Sequence, residues 1–254
     1  MKVEVLGSYG ARFPGFATTS FLVDGSLLVD AGTVTWNLTL EQQLAIDDVL
    51  LTHAHLDHIV DLAFLADNVF GVRKEPIRVW GPEEVLKGLR AHLFNNKVWP
   101  DFSALPGDGG SSLSFHPLPE GRVAEVAGFD VRWVRTNHPV CTAGYLLEGE
   151  EAALLFSGDT GQTEAVWEMG SSCEHLKAAF VETSFPDRME ELALASGHLT
   201  PAFLAGELKK LDRPGLPVLI YHMKPQFLDE ILADLQQLEN NQLQVLSGGE
   251  SFSF

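Results

Sequence analysis

The feature that most constrains this chain is a turn of six residues. In LLTHAHLDHIVDL, residues 50–62, the side chains His53, His55, Asp57 and His58 follow an apolar run and precede helical spacing. Four groups that bind metal or titrate, so close together, depart far from average composition. A buried strand ending in such a turn aims several side chains at one point. His53 and His55 leave the same side of an extended segment, and Asp57 and His58 swing to a second point as a helix begins. Imidazole and carboxylate donors suit Zn²⁺, Fe or Mn. Four ligands exceed what one open catalytic zinc normally takes from a single stretch, so the turn predicts two adjacent metals.

Three other strand ends carry the same chemistry. RTNHP ends a strand at His138, LFSGDTG ends one at Asp159, and VLIYHMKP ends one at His222. The glycines beside Asp159 let the backbone turn tightly. Around these points the first third is strand-rich, with KVEVLG, TSFLVDG, SLLVDAG and DDVLLTH, the last buried on both faces. Helical spacing follows over 57–68 and 82–94. Strands return at GFDVRWVRTNH, AGYLLEG and AALLFSGD, then at AAFVETS and PVLIYHM. Helices are expected near 162–169, 187–195, 200–211 and 225–238, and PGDGGSS at 106–112 reads as a loop. Strands then helices, twice over, predict an α/β fold of two packed sheets with helices outside.

With 254 residues and 45% hydrophobic side chains, a single domain spanning 1–254 is expected. No repeat or linker interrupts it. The opening MKVEVLGSYG does not read as a signal peptide, and no run approaches the roughly 20 apolar residues of a membrane span. Two cysteines, Cys141 and Cys173, make no disulfide framework and point to a reduced, cytoplasmic protein. Cys141 follows His138 by three, but the nearby imidazoles and carboxylates already supply a metal's donors. A net charge of −18, with no Lys/Arg cluster, argues against a long nucleic acid as the main partner.

The motifs THAHLDH, NHP, SGDTG and IYHMK, in that order, resemble the metallo-β-lactamase superfamily over nearly the whole chain. The resemblance implies an αββα sandwich, two mixed sheets with helices on the outer faces and metals at the sheet edge. It assigns His53, His55 and His138 to one metal, Asp57, His58 and His222 to the other, and Asp159 to the bridge. Zinc is the expected ion, although manganese or iron suits the same donors.

Such a centre serves lactams, thioesters and phosphoesters alike, so the substrate has to be read elsewhere. In FVETSFPDRMEELALASGHLTPAFLAGELKKL, residues 180–211, Glu182 ends a strand and His198 precedes a helix start, with Thr200 as N-cap and Pro201 first in the helix. His198 there can contact a phosphate or protonate a leaving alkoxide, with Glu182 orienting it. Asp57, His198 and Glu182 form the expected catalytic group.

This segment, with FNNKVWPDF at 94–102 and YHMKP at 221–225, is similar to class II 3′,5′-cyclic-nucleotide phosphodiesterases, which are related to the tRNA-processing RNase Z enzymes. That resemblance implies a dinuclear phosphodiesterase acting on a cyclic nucleotide, with Lys224 near the phosphate. A cyclic nucleotide needs only a small pocket with an aromatic surface for the base. Phe94, Trp99 and Phe102 are the candidates, and Trp36 is expected in the core. The same segment would suit a homodimer contact. An RNase Z-like endonuclease is the alternative, and the chain's acidity and missing basic arm oppose it. A non-catalytic nucleotide-binding protein is the reading from another class, and the full set of seven metal donors opposes that.

Overall fold

The computed structural model describes residues 1–105 and 110–254. Residues 106–109 of the expected 106–112 loop lie outside the described residues. The first sheet contains β1 (Lys2–Gly7), β2 (Ser20–Val23), β3 (Leu27–Val29), β4 (Asp48–Leu50), β5 (Ile77–Gly81) and β6 (Leu113–Pro117). The second contains β7 (Ala124–Val126), β8 (Phe129–Arg135), β9 (Ala143–Glu148), β10 (Ala153–Phe156), β11 (Leu176–Glu182), β12 (Val218–Tyr221) and β13 (Leu243–Val245). The last strand, β14 (Ser251–Ser253), returns to the first sheet beside β1.

The two sheets share one pairing scheme. From β14 to β3 neighbours are antiparallel, and from β3 to β6 they are parallel. From β7 to β10 neighbours are antiparallel, and from β10 to β13 they are parallel. No sequence repeat accompanies this likeness, since pairing direction requires only apolar strands of suitable length and not a particular sequence.

Between the sheets lies a core of Val3, Val5, Phe21, Val29, Leu50, Phe156, Phe180 and Tyr221. The Phe21 ring meets Phe156, Phe180 and Tyr221 at 5.4, 5.1 and 5.3 Å, fixing the first sheet against the second. Outside the first sheet pack α1 (Leu40–Leu44), α2 (Leu56–Val69) and α3 (Glu83–His92). Outside the second pack α4 (Ala165–Ser171), α6 (Pro201–Leu211) and α7 (Leu228–Gln237), and α5 (Glu190–Ser196) runs before α6. This is the expected αββα arrangement. No helix among the described residues is long and apolar enough to cross a membrane.

Some local expectations need correction. The 187–195 and 225–238 segments each open with a 3₁₀ turn, Asp187–Met189 and Pro225–Phe227, before the α-helix begins. The helix expected over 162–169 starts later, at Ala165. The spacing over 82–94 gives a helix only to His92, because Leu93 and Phe94 turn back so that Phe94 bridges to Trp99.

Candidate metal centre

The ends of β3, β4, β10, β11 and β12 meet at one edge of the sandwich, the usual place for a ligand in sheets with parallel strands. β3 runs into Asp30, which takes the left-handed conformation at φ +58°. Its Oδ1 accepts the Thr52 amide at 2.8 Å, and its Oδ2 lies 2.7 Å from His58 Nδ1. Thr52 Oγ1 in turn lies 3.0 Å from His53 Nδ1. One buried carboxylate therefore fastens both ends of the histidine turn.

β12 ends at Tyr221, and His222 follows at φ +68°, a strained backbone for a residue with a Cβ. Its amide donates to Ser8 O at 2.6 Å. Gly10 lies so close over it that a Cβ there would stand 2.6 Å from His222 O and 2.7 Å from the ring. Gly158, at φ +61°, makes the turn that delivers Asp159; a Cβ on it would sit 2.4 Å from Ala143 O.

The seven donors converge in two groups. His53, His55, His138 and Asp159 each offer a ligand atom within 4.8 Å of one another, and so do Asp57, His58 and His222. Asp159 reaches both groups. Its Oδ2 is 3.6 Å from His53 Nε2 and 3.3 Å from His222 Nε2, and its Oδ1 is 3.4 Å from His58 Nε2. His222 Nε2 also lies 3.3 Å from Asp57 Oδ2 and 3.1 Å from His58 Nε2. Donors about 2.0–2.1 Å from a tetrahedral ion stand roughly 3.3–3.4 Å apart, so these spacings suit a shared cation. His53 Nε2 and Asp159 Oδ1 are buried and have no hydrogen-bond partner among the described residues. Such orphaned atoms fit a metal ligand better than a structural network. Cys141 is buried in the apolar core beside α3 and belongs to none of the donor groups.

Protonation follows from the crowding. Burial and the neighbouring His58 push the His53 pKa well below that of an ordinary imidazole. Burial works against a charged His58 too, but Asp159 and Asp30 outweigh it and raise its pKa well above the usual value. Burial would raise the pKa of Asp159, yet the surrounding His222, His58 and His53 hold it well below the carboxylate range. Asp57 is likewise lowered, burial being overcome by His222 and His58. Asp159, one of the two carboxylates that hold a proton on His58, is also the one placed to hold a cation, so metal and proton compete for this place.

Beside the donors stands the Glu182–His198 pair. Glu182 is fully buried at the end of β11, and its Oε1 accepts from His198 Nδ1 at 2.7 Å and from the Thr160 amide at 3.1 Å. Burial disfavours a charged His198, but the Glu182 carboxylate prevails and raises its pKa. His198 lies within 4.8 Å of Asp159 and His222 by their nearest donor atoms. Thr200 caps α6 through Phe203 N, with Pro201 first in the helix, so the helix start holds His198 in place. Lys224 Nζ donates to Gly10 O and stands 3.8 Å from Asp57 Oδ2, at the rim of the donor cluster.

The aromatic candidates fall elsewhere. Phe94 and Phe102 are only 1% and 2% exposed and belong to the core under α2 and α3, so neither has a face to offer a base. Trp99 packs edge-on to Phe64 at 5.6 Å and donates its indole N–H to Ala63 O at 3.0 Å, a structural role on α2. Trp36, expected inside, is 90% exposed. Asp61 Oδ2 accepts the Val34 and Thr35 amides at 2.7 and 2.9 Å and pins that loop to α2, leaving the indole in solvent. Asp30 and Ser184 were not singled out in the sequence. The Asp-Ala-Gly after β3 was the only signal for Asp30, and ETS after β11 the only one for Ser184.

A sequence profile described as the beta-lactamase superfamily domain matches residues 21–223, which include every donor above. The chain belongs to the beta-lactamase superfamily. Within it, the chain is similar to a protein of Yersinia pestis named "Probable 3',5'-cyclic-nucleotide phosphodiesterase", 27% identical over 225 residues, 76% of this chain and 63% of that one. It is also similar to a Ribonuclease Z of Metallosphaera sedula, 31% identical over 164 residues, 61% of this chain and 51% of that one. The chain thus spans less than two thirds of the length of either relative. The crystal structure of unliganded yeast PDE1 superposes with a TM-score of 0.79 at 19% identity over 98% of both chains, a likeness of fold. In this superfamily setting the His/Asp clusters have the donor set and spacing to hold divalent metal.

Proposed function

We propose that the protein is a dinuclear-metal phosphodiesterase that hydrolyses 3′,5′-cyclic nucleotides, cAMP or cGMP, to 5′-nucleotides. The observation that carries this reading is the hydrogen-bonded Glu182–His198 pair at 2.7 Å, next to Asp159 and His222. A lactam or thioester hydrolase has no evident need of a second buried acid–base pair there, whereas an alkoxide leaving a phosphodiester needs a proton. The name of the Yersinia pestis relative supports the same substrate class.

His53, His55 and His138 would hold one ion and Asp57, His58 and His222 the other, with Asp159 shared. The pair, zinc or else manganese or iron, would supply an activated water and neutralise phosphate charge. The chain's own residues do the rest. Glu182 fixes the His198 ring through Nδ1 and favours its protonated form, so Nε2 can give its proton to the departing 3′ oxygen. Asp57 belongs to the inner group with His58 and His222, 3.3 Å from His222 Nε2, and Lys224 offers a positive charge to the phosphate from the rim. The ligand is a small molecule, and the net charge of −18 disfavours a long nucleic acid. The free, buried Cys141 and Cys173 suit a reduced, cytoplasmic setting. With Phe94 and Phe102 buried, a homodimer loses the aromatic contact it was expected to have.

Metal-loaded protein incubated with 3′,5′-cAMP, with and without chelator, tests the reading. Chelator-sensitive release of 5′-AMP is expected. Intact cAMP and cGMP alongside cleavage of another ester class would overturn it. The second reading, an RNase Z-like endonuclease, is favoured by the Metallosphaera sedula relative. Precursor-tRNA cleavage at low salt would establish it instead.

A further inference from the structure

We propose that Ser184 is a positioning residue that joins the metal donor His222 and the Glu182–His198 pair into one hydrogen-bonded unit, so that the inner metal position and the proton donor are set together.

Ser184 is fully buried just past β11. Its Oγ lies 2.8 Å from His222 Nδ1, 3.0 Å from Glu182 Oε2, 3.2 Å from His198 Nδ1 and 3.2 Å from His222 O. A hydroxyl has one proton to give and two lone pairs with which to accept. His198 Nδ1 already has the shorter contact, 2.7 Å, to Glu182 Oε1. His222 turns Nε2 toward His58, Asp57 and Asp159, so with an ion on Nε2 its proton sits on Nδ1 and Ser184 Oγ accepts it. The Ser184 proton is then free for Glu182 Oε2, a buried carboxylate oxygen with no other hydrogen-bond partner among the described residues. The directions run His222 Nδ1–H to Ser184, Ser184 O–H to Glu182, and His198 Nδ1–H to Glu182.

One hydroxyl therefore fixes the ring orientation of a metal donor and completes the solvation of the carboxylate that holds the acid. Outer partners of this kind set ligand orientation and typically carry 10- to 100-fold in metal affinity. Among the described residues, no other side chain hydrogen-bonds both His222 Nδ1 and Glu182. Thr183 next door is equally buried, but its Oγ1 donates at 2.7 Å to the Glu182 carbonyl and stays outside the unit.

The metal-holding part stands without the phosphodiesterase reading, and only the proton-donor part rests on it. The test compares wild type with Ser184→Ala, Ser184→Thr and Thr183→Val. Each is loaded with cobalt(II), its visible spectrum recorded, and its two ions withdrawn by a graded chelator. For Ser184→Ala, one equivalent of metal should be held about 10- to 100-fold more weakly while the other is unchanged, with the cobalt spectrum altered for that equivalent. Cyclic-nucleotide hydrolysis should lose kcat with KM nearly kept. Ser184→Thr, which keeps a hydroxyl, should restore both readouts, and Thr183→Val should resemble wild type. If the alanine variant does not fold, Ser184→Cys, close in volume and a weak donor, should give an intermediate metal affinity. Wild-type release of both ions from Ser184→Ala, equal weakening of both, or the same effect from Thr183→Val would each overturn the proposal. Should wild type cleave no cyclic nucleotide, the metal and spectral readouts still decide it.

Discussion

The inner group of donors and the outer group use the same residue types in different surroundings. His58 and His222 have no solvent exposure, and their outward nitrogens are held by Asp30 at 2.7 Å and Ser184 at 2.8 Å. His55 is exposed, and its Nδ1 meets only His138 Nε2, at 3.4 Å. His138 is half-buried and tied to a backbone carbonyl, Gly197 O, at 3.0 Å. Apart from the shared Asp159, only His53 gives the outer group a deeply buried member. A ligand with a charged or hydroxyl partner keeps its ring orientation before any ion arrives, whereas an exposed one is free to adjust. The Glu182–His198 pair borders both halves, its imidazole 5.3 Å from the His222 ring and 5.1 Å from that of His138, and the adjustable half faces the solvent from which a substrate must enter.

The largest break in that comparison comes from the one residue both halves share. Asp159→Asn should lower bound metal at both positions and cut phosphodiester hydrolysis on the order of 10³-fold, about 4 kcal/mol, as metal analysis and steady-state kinetics would show. Loss of one ion only would mean that Asp159 belongs to one half. His198→Ala should keep normal metal content and slow cyclic-nucleotide cleavage about 10²–10⁴-fold. A p-nitrophenyl ester should suffer less, because its leaving group needs little protonation. Equal losses for both substrates would make His198 a phosphate contact.

Asp30→Asn should weaken the inner ion about 10- to 100-fold and leave the outer ion nearly untouched, measured by chelator titration. Equal weakening would erase the distinction between the halves. The pH profile gives a subtler test. The His198 pKa is raised, so its proton is in place at low pH and lost as pH rises through a value above the ordinary 6.5 or so. Cyclic-nucleotide turnover should fall along that limb. In Glu182→Gln burial and Lys224 still oppose the charged ring and only Asp159 favours it, so the limb should move to lower pH; an unmoved limb would assign it to another group. The smallest catalytic effect is expected from Phe94→Ala, which should cost about 3–5 kcal/mol of stability in denaturant titration with KM unchanged. A raised KM in the folded variant would return Phe94 to the pocket.

The convergence of the seven candidate donors was legible because their motifs follow strands, where a short polar motif has few structural uses. The two-sheet sandwich was legible from strand and helix periods alone. The partners behind the donors were not. Asp30 and Ser184 are ordinary residue types after ordinary strands, and only folding shows that they stand at hydrogen-bond distance from histidines 28 and 38 positions away. The aromatic readings failed for a related reason. FNNKVWPDF looks like an exposed loop, yet its backbone doubles back through Asn96 N to Trp99 O at 2.9 Å and turns Phe94 inward. Trp36 looked like core, but the exposure of an indole on a turn depends on what pins the turn, and here Asp61 pins it with the ring outside. The short strands β7, β13 and β14 offered only three residues each to a period of two.

The meeting of the two sheets at the donor cluster also matters for how the chain comes apart. His58 and His222 are separated by 164 residues and come from different sheets, as do His55 and His138, 83 residues apart. A cation held across either pair acts as a reversible cross-link closing a very long loop, the kind of constraint that most restricts an unfolded chain. Metal loading should therefore raise the melting temperature by mass action and make unfolding of the two halves more concerted.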